Sequence, residues 1–276
     1  MAPAAPPASD GHHRPALAVP DASRPLLLDV VRCEWTKLWS VRSTYWTLLG
    51  TAAAMISLAA VFPATGPAAP SDPTAYGLSG FFQAQLGAAV LGVLTITSEY
   101  ATGSIRATLT ATPQRITLLS AKTIVVGATT TVVGIASAFL AFFVAAQVFA
   151  GKGISVALTD PGALRAVIGA GLYLAVLAVL ALALGVLLRS SVGTIAVVVA
   201  LMLLLPGIAT ALPTTWQSAV VPYLPAEAGQ AIIGHTRFAP AGPPLLAPWT
   251  GFAILCAYTA IALTGAAITV TNRDSR

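Results

Sequence analysis

The chain has 276 residues, of which 57% are hydrophobic and only 8% are charged. A soluble domain carries about 25% charged residues, and a fold of this size cannot hide so apolar a composition from water. The mean hydropathy of +0.84 indicates a protein embedded in a bilayer. The net charge of +5 comes from dispersed basic residues without a nucleic-acid-binding motif, so we expect no nucleic-acid partner.

The first 25 residues contain six prolines and no long apolar run. Such a composition buries too little apolar surface to offset the entropy of ordering, so it predicts a disordered cytoplasmic tail over residues 1–25. His12 and His13 are adjacent, but no further metal ligand lies near them. A solvated tail is therefore favoured over a metal site, and we expect no bound metal.

Residues 26–43 have the periodicity of an amphipathic helix. One face carries apolar side chains at spacings of three and four, namely Leu27, Val31, Trp35 and Leu38. Indole rings such as those of Trp35 and Trp39 are typical of the lipid headgroup region. The pattern predicts a helix that lies in the membrane interface. The alternative is a water-exposed extension of the first membrane span.

Six apolar stretches follow, each near the length of about 20 residues that a helix needs to cross a bilayer. They cover residues 45–62, 81–97, 123–149, 166–188, 195–212 and 249–270. Barrel strands would be about ten residues long and alternate in polarity, so we predict an all-α membrane protein with a six-helix domain over residues 44–272. Pro206-Gly207 should break or kink the fifth span near its end.

The basic residues are distributed unevenly between the two sides of such a chain. Lys152, Arg165 and Arg237 fall on one side, and the other eleven of the 14 fall on the side of the termini. The positive-inside rule therefore predicts that both termini are cytoplasmic. Residues 98–122 then form the one substantial cytoplasmic connection between spans, and residues 213–248 form the longest outer loop.

No nucleotide-binding loop, zinc-protease motif or nucleophile elbow occurs in the sequence, so we predict that the chain is not an enzyme and binds no cofactor of its own. The predicted spans contain no Asp, Glu, Lys or Arg in their interiors. This argues against an ion-driven transporter without excluding one, because backbone carbonyls also coordinate Na⁺. The polar surfaces on which a soluble partner could act are residues 26–43 and 98–122.

Four patches in this order resemble a known family. They are CEWTKLWSVRSTYW (33–46), TSEYATGSIRATLTATPQRITLLSAK (97–122), LGVLLRSSVGTIAVVVALMLLLP (184–206) and YLPAEAGQAI (223–232). Together with the six-span pattern, they make the chain resemble a bacterial ABC-2 type ABC transporter permease over about residues 26–272. The second patch is the most specific of the four.

The resemblance implies a membrane subunit that exports a small hydrophobic or amphipathic compound across a bacterial cytoplasmic membrane. Its partners would be membrane lipid, a second permease half, identical or paralogous, and two ATP-binding subunits that bind ATP and Mg²⁺. Residues 98–122 would be the cytoplasmic coupling loop, and residues 213–248 would be an extracellular, re-entrant loop.

The resemblance also implies roles for individual residues. The residues that couple to the ATPase would be Glu99, Tyr100, Gly103, Arg106, Pro113 and Arg115. The interfacial helix would contact the partner through Glu34, Trp35, Lys37 and Arg42. A candidate substrate path along the second span contains Phe81, Phe82, Gln83 and Gln85.

The residues of the coupling loop fit a rigid element. Gly103 allows a sharp turn after the second span, and Pro113 would end a short helix. We expect Glu99 to pair with Arg106 or Arg115; an exposed pair contributes only about 0–1 kcal/mol, so its effect would be on orientation. Alternatively, these charges are ordinary membrane-flanking anchors. The alternative functions of the whole chain are a non-transporting membrane anchor or sensor and an ion-coupled secondary transporter.

Overall fold

A computed structural model describes residues 26–67, 70, 72–103, 115–209, 211–234 and 246–273. The predicted N-terminal tail lies outside these residues. Within them every regular element is helical. The helices are α1 (Leu27–Ser40), α2 (Arg42–Thr65), α3 (Pro73–Gly77), α4 (Phe81–Thr102), α5 (Arg115–Ala150), α6 (Ala163–Leu188), α7 (Ser191–Ala209), α8 (Thr214–Val220), α9 (Pro225–Gln230) and α10 (Pro248–Arg273).

Six of these helices, α2, α4, α5, α6, α7 and α10, are long and apolar enough to cross a membrane. The predicted all-α class with six candidate spans is therefore confirmed. The two largest differences from the predicted boundaries are that α4 continues past residue 97 to Thr102 and that α5 begins at Arg115 instead of residue 123. Glu99 and Lys122, which we expected in a loop, therefore lie within helices.

The central helix is α6, with 67% of its most apolar segment buried. It packs against α4, α5 and α10. Glycines permit these close crossings: a Cβ atom at Gly92 of α4 would lie 2.0 Å from the carbonyl oxygen of Ala178 in α6. A Cβ atom at Gly171 of α6 would lie 2.5 Å from the backbone nitrogen of Ile135 in α5. Such approach of backbones is the main source of packing energy between helices in lipid.

A break in the backbone separates α1 from α2. Val41 alone joins them, and its φ of −94° and ψ of 121° are those of an extended residue. The first helix is therefore not a simple extension of the first candidate span. It turns back and packs along α5.

The buried face of α1 differs from the face that we expected. The expected apolar face included Leu27 and Trp35, but these side chains are 42% and 46% exposed. Leu38 of the expected face is buried and Val31 packs against the bundle, and the buried residues also include Val30 and Glu34. The helix is therefore rotated from the expected orientation so that it buries a charged residue, while Leu27 and Trp35 stay at the surface.

The fifth candidate span, α7, is irregular near its end. It contains a π-helical turn at Ala200–Leu204 and ends at Ala209. Pro206 lacks an N–H group and cannot donate to a carbonyl one turn earlier, so a widened turn before it is the expected local response. The predicted break near Pro206-Gly207 takes this form.

The connection after α7 leads a short helix back into the bundle. Every residue of α9 is buried, and the helix packs against α10 and α6. A Cβ atom at Gly251 of α10 would lie 2.4 Å from the carbonyl oxygen of Ala228, so the two backbones nearly touch. The preceding α8 has no buried residue.

The close crossing of α4 and α6 generates a stability prediction. We expect Gly92→Ala to destabilise the protein by about 1–3 kcal/mol, because the new methyl group meets the backbone of Ala178 and the helices must separate. Gly50→Ala on α2 is the matched control, since no atom lies within 4 Å of its built Cβ atom. Thermal unfolding in detergent measures both, and equal midpoints for the two variants would contradict the packing.

Candidate functional site

Four charged side chains from three helices form a closed ring at one end of the bundle. In this charge ring, Lys122 Nζ of α5 lies 2.6 Å from Glu34 Oε2 of α1 and 2.8 Å from Glu99 Oε1 of α4. Lys37 Nζ of α1 lies 2.9 Å from Glu34 Oε1 and 3.1 Å from Glu99 Oε1. Opposite charges alternate around the ring, and the two carboxylates balance the two ammonium groups.

The charge ring is buried on the side that faces the bundle. The side chain of Lys122 is 1% exposed and that of Glu34 is 4% exposed, whereas Lys37 at the outer edge is 41% exposed. Burying an unpaired charge costs several kcal/mol, and a buried pair offsets that cost only when its hydrogen bonds are complete. Lys122 donates to two carboxylates from two different helices, which offsets part of this cost.

The environment of Lys37 favours its charged form. Burial lowers the pKa of Lys37, but hydrogen bonds and charges from Glu34 and Glu99 outweigh burial and raise the pKa above its ordinary value of 10.5. A group whose pKa rises on folding stabilises the fold fully below its unfolded pKa and loses that contribution as the pH rises through the folded value. The Lys37 contribution is therefore intact throughout the neutral range and declines only above pH 10.5.

The local sequence places each member of the ring. Glu34 and Lys37 are three residues apart and so share one face of α1. Glu99 lies in the last turn of α4, which ends where Gly103 adopts a left-handed conformation with φ of 71°. Because the chain leaves α4 at Gly103 and enters α5 at Arg115, Glu99 and Lys122 lie at the same end of the bundle.

Of the two partners expected for Glu99, only Arg115 lies among the described residues, and it does not form an ion pair with Glu99. We expected Glu99 to pair with Arg106 or Arg115, but it pairs with Lys37 and Lys122. Arg115 instead donates from Nη1 to the carbonyl oxygen of Val270 in α10, over 2.8 Å. Arg106 and Pro113 lie outside the described residues.

Sequence reasoning missed Lys122 as a site residue because it was assigned to the loop. A signal for it was present in the sequence. In a chain with so few charges, a lysine at the start of a long apolar run needs a carboxylate partner if the helix begins before it. Glu34 shares its helical face with apolar side chains, so it too needs a partner of opposite charge when that face is buried.

Of the other predicted coupling and partner-contact residues, Tyr100 and Trp35 directly follow ring members in sequence. The guanidinium carbon of Arg189 lies 5.3 Å from the ring centroid of Tyr100, a cation–π contact between the end of α4 and the turn after α6. Trp35 is exposed and lies 5.7 Å from the ring of Trp39. Arg42 is exposed at the start of α2. Trp35 and Arg42 are thus exposed at the surface of the described bundle, whereas Tyr100 and Arg189 are partly buried.

The candidate substrate-path residues do not share one surface. Phe81 and Gln85 are 0% and 1% exposed and face the interior of the bundle. There the Tyr173 hydroxyl donates to Gln85 Oε1 over 2.6 Å. Phe82 is partly buried, whereas Gln83 is exposed. Of the four, Gln83 is thus the side chain open to a partner or a solute at the surface of this chain.

No known family model matches the chain, and comparison with curated proteins finds no match. The functional interpretation therefore rests on the geometry of the charge ring. A catalytic group needs access to a reactant and a protonation state suited to its task, whereas Lys122 is enclosed by two carboxylates. The arrangement is suited to holding α1 against α4 and α5.

Removing the buried ammonium group tests this structural role. We expect Lys122→Met to destabilise the protein by about 3–5 kcal/mol, because Glu34 and Glu99 are left to share Lys37. Lys152→Met is the matched control, since Lys152 is exposed and makes a long 3.4 Å contact with the carbonyl oxygen of Gly66. Unfolding midpoints in detergent compare the variants, and a Lys122→Met midpoint as high as the control's would refute the role.

Proposed function

We propose that the chain is the membrane-spanning permease subunit of an ATP-driven exporter in a bacterial cytoplasmic membrane. The observation that supports this best is the charge ring, which joins α1 to the facing ends of α4 and α5. In the family that residues 26–272 resemble, the segments that meet here form the surface on which the ATPase acts. The described residues and the resemblance therefore indicate the same part of the chain.

The ring gives a mechanical reason for the proposal. The segment over residues 104–114 connects α4 to α5, so a force on this segment acts on both helices. Four ion pairs make α1 move with them, and the close contacts of α4 and α5 with α6 carry the movement into the bundle. Packed helices respond to such a force by small rigid-body shifts, the usual basis of switching between two states.

In this proposal, partner subunits supply the remaining parts of the transporter. Two ATP-binding subunits bind ATP and Mg²⁺ and act on residues 26–43 and 98–122. A second permease half, identical or paralogous, completes the path of a small hydrophobic or amphipathic substrate, and membrane lipid surrounds both halves. The excess of Lys and Arg near the termini supports a cytoplasmic location for both ends.

Charge reversal in the connection between α4 and α5 tests the coupling role. The chain and its ATP-binding subunits are purified as a complex and reconstituted into liposomes, and ATP hydrolysis is measured. We expect Arg106→Glu to reduce hydrolysis to the rate of the isolated ATP-binding subunits, without lowering the amount of permease in the membrane. Arg237→Glu, on the predicted outer side, is the matched control and should retain the rate of the unmodified complex.

Two results would contradict the proposed function. One is a normal rate of ATP hydrolysis in the Arg106→Glu complex. The other is transport by the purified chain alone in liposomes that carry an ion gradient and no ATP, which would favour a secondary transporter.

A further inference from the structure

A cavity of about 400 Å³ lies in the elbow between α1 and α2, where both helices face α4. Its volume is within the range of about 300–1,000 Å³ that is typical of small-molecule sites. The elbow cavity lies where the candidate span α2 begins, at Arg42. The end of a span is at the boundary between hydrocarbon and water, which is the level of the lipid headgroups. The elbow cavity is therefore placed to receive a lipid headgroup.

The charged group that the protein exposes at this cavity is an ammonium group. Of the ring members that line it, Lys37 is 41% exposed, whereas the side chains of Glu34 and Glu99 are 4% and 12% exposed. Both carboxylates already pair with the lysines of the charge ring. Arg42 adds an exposed positive charge next to Val41 of the cavity wall, and the first turn of α2 has no acidic residue. The elbow cavity therefore favours an anion.

The two helix ends that meet at the elbow differ in how their backbone groups are satisfied. At the end of α1, the Ser40 hydroxyl donates to the carbonyl oxygen of Lys37. The Tyr45 hydroxyl donates to the carbonyl oxygen of Trp39. The helix α2 begins without a side-chain cap, and the first amides of a helix have no acceptor within it. The positive end of the α2 dipole is therefore available to an anion, whereas the negative end of α1 is partly satisfied.

The wall that α2 contributes carries the hydroxyl groups of Ser43, Thr44 and Thr47. Thr44 is the most enclosed of the three, at 5% exposure, and its hydroxyl makes no hydrogen bond with any residue that the structure describes. Buried hydroxyl groups are normally paired, as in Thr130, which donates to the carbonyl oxygen of Val126 in its own helix. An acceptor oxygen on a ligand in the cavity would complete the hydrogen bonding of Thr44.

The polarity of the elbow cavity changes along α4. Leu94 and Leu91 line it five and eight residues before Glu99. At about 1.5 Å per residue, they lie roughly 8 and 12 Å farther from the charge ring and nearer the middle of a candidate span. A ligand that fits the cavity therefore has an anionic head at the start of α2 and an apolar chain directed into the bundle.

We propose that the elbow cavity binds the phosphate headgroup of an anionic phospholipid. The Thr44 hydroxyl donates to a phosphate oxygen, and the Lys37 ammonium and the start of α2 lie beside its charge. An acyl chain lies along Leu94 and Leu91. A zwitterionic lipid has the same phosphate but places a positive charge near Lys37 and Arg42, and a diacylglycerol has no phosphate. The site binds lipid whether or not the chain transports anything, so the proposal is independent of the proposed function.

The binding test uses the purified full-length chain, freed of lipid in an uncharged detergent, and native mass spectrometry. The compounds titrated are phosphatidylglycerol, phosphatidylcholine and diacylglycerol with the same acyl chains, and glycerol 3-phosphate. We expect phosphatidylglycerol to bind at least tenfold more tightly than phosphatidylcholine or diacylglycerol, because it alone combines a net negative charge with both chains. Glycerol 3-phosphate should bind weakly because it lacks the chains, which separates a lipid site from a site for a soluble phosphate ester.

Two variants connect this binding to the elbow cavity. Thr44→Val removes the hydroxyl donor and should weaken phosphatidylglycerol binding at least fivefold, whereas the unfolding midpoint of the lipid-free protein should not fall, because no described residue accepts from that hydroxyl. Thr47→Leu narrows the cavity and should weaken binding by a similar factor. Thr130→Val is the matched control, since this buried threonine of α5 lies outside the cavity wall, and it should bind the lipid normally.

Three results would overturn the proposal. The first is binding of phosphatidylcholine or diacylglycerol as tight as that of phosphatidylglycerol. The second is equally tight binding of glycerol 3-phosphate, which would assign the cavity to a soluble phosphate ester. The third is phosphatidylglycerol binding by Thr44→Val and Thr47→Leu that equals that of the Thr130→Val control.

Discussion

The burial of charge at one end of the bundle is the constraint on which the arrangement of α1, α4 and α5 depends. Lys122 and Glu34 are almost wholly enclosed, and burying either charge without a partner would cost several kcal/mol. Each therefore needs the other, and both need Glu99 and Lys37 to complete the ring. This requirement fixes the rotation of α1, because only a face that contains Glu34 can meet Lys122.

The charge ring and the packing around α6 act on the same helices. The glycine contacts of α4 and α5 with α6 hold the middle of the bundle together without long side chains. The ring joins the ends of α4 and α5 to α1. A force applied between α4 and α5 would thus act on a group of helices that is linked at its end and at its centre. This is the property that the proposed coupling requires.

The sequence predicted what depends on local pattern. Hydropathy gave the number and order of the candidate spans, and Pro206 indicated the irregular end of α7. The end of α4 and the start of α5 were missed because hydropathy falls where charged residues appear, and a charged residue was taken as the end of a span. Whether a helix continues through a charged residue depends on a partner elsewhere. For Glu99 and Lys122 that partner lies on the same ring, at a distance in sequence that no periodicity reveals.

The helical face of α1 shows the same limitation. A spacing of three and four correctly indicated a helix, and it identified an apolar stripe that includes Leu27 and Trp35. Leu27 and Trp35 are exposed, whereas Leu38 of the same stripe is buried together with Val30 and Glu34. Periodicity alone does not show which of two helical faces packs against the protein and which is exposed to lipid or water. The apolar stripe is consistent with an interfacial position for α1, which stays a prediction.

The coupling energy between α1 and α5 tests the central claim most directly. Unfolding free energies in detergent are measured for the unmodified protein, Glu34→Gln, Lys122→Met and the double variant, which completes a double-mutant cycle. Because the two side chains share one ring, the account predicts that they are coupled by at least about 1 kcal/mol, with the second substitution costing less than it does alone. Additive effects, within about 0.5 kcal/mol, would contradict the account.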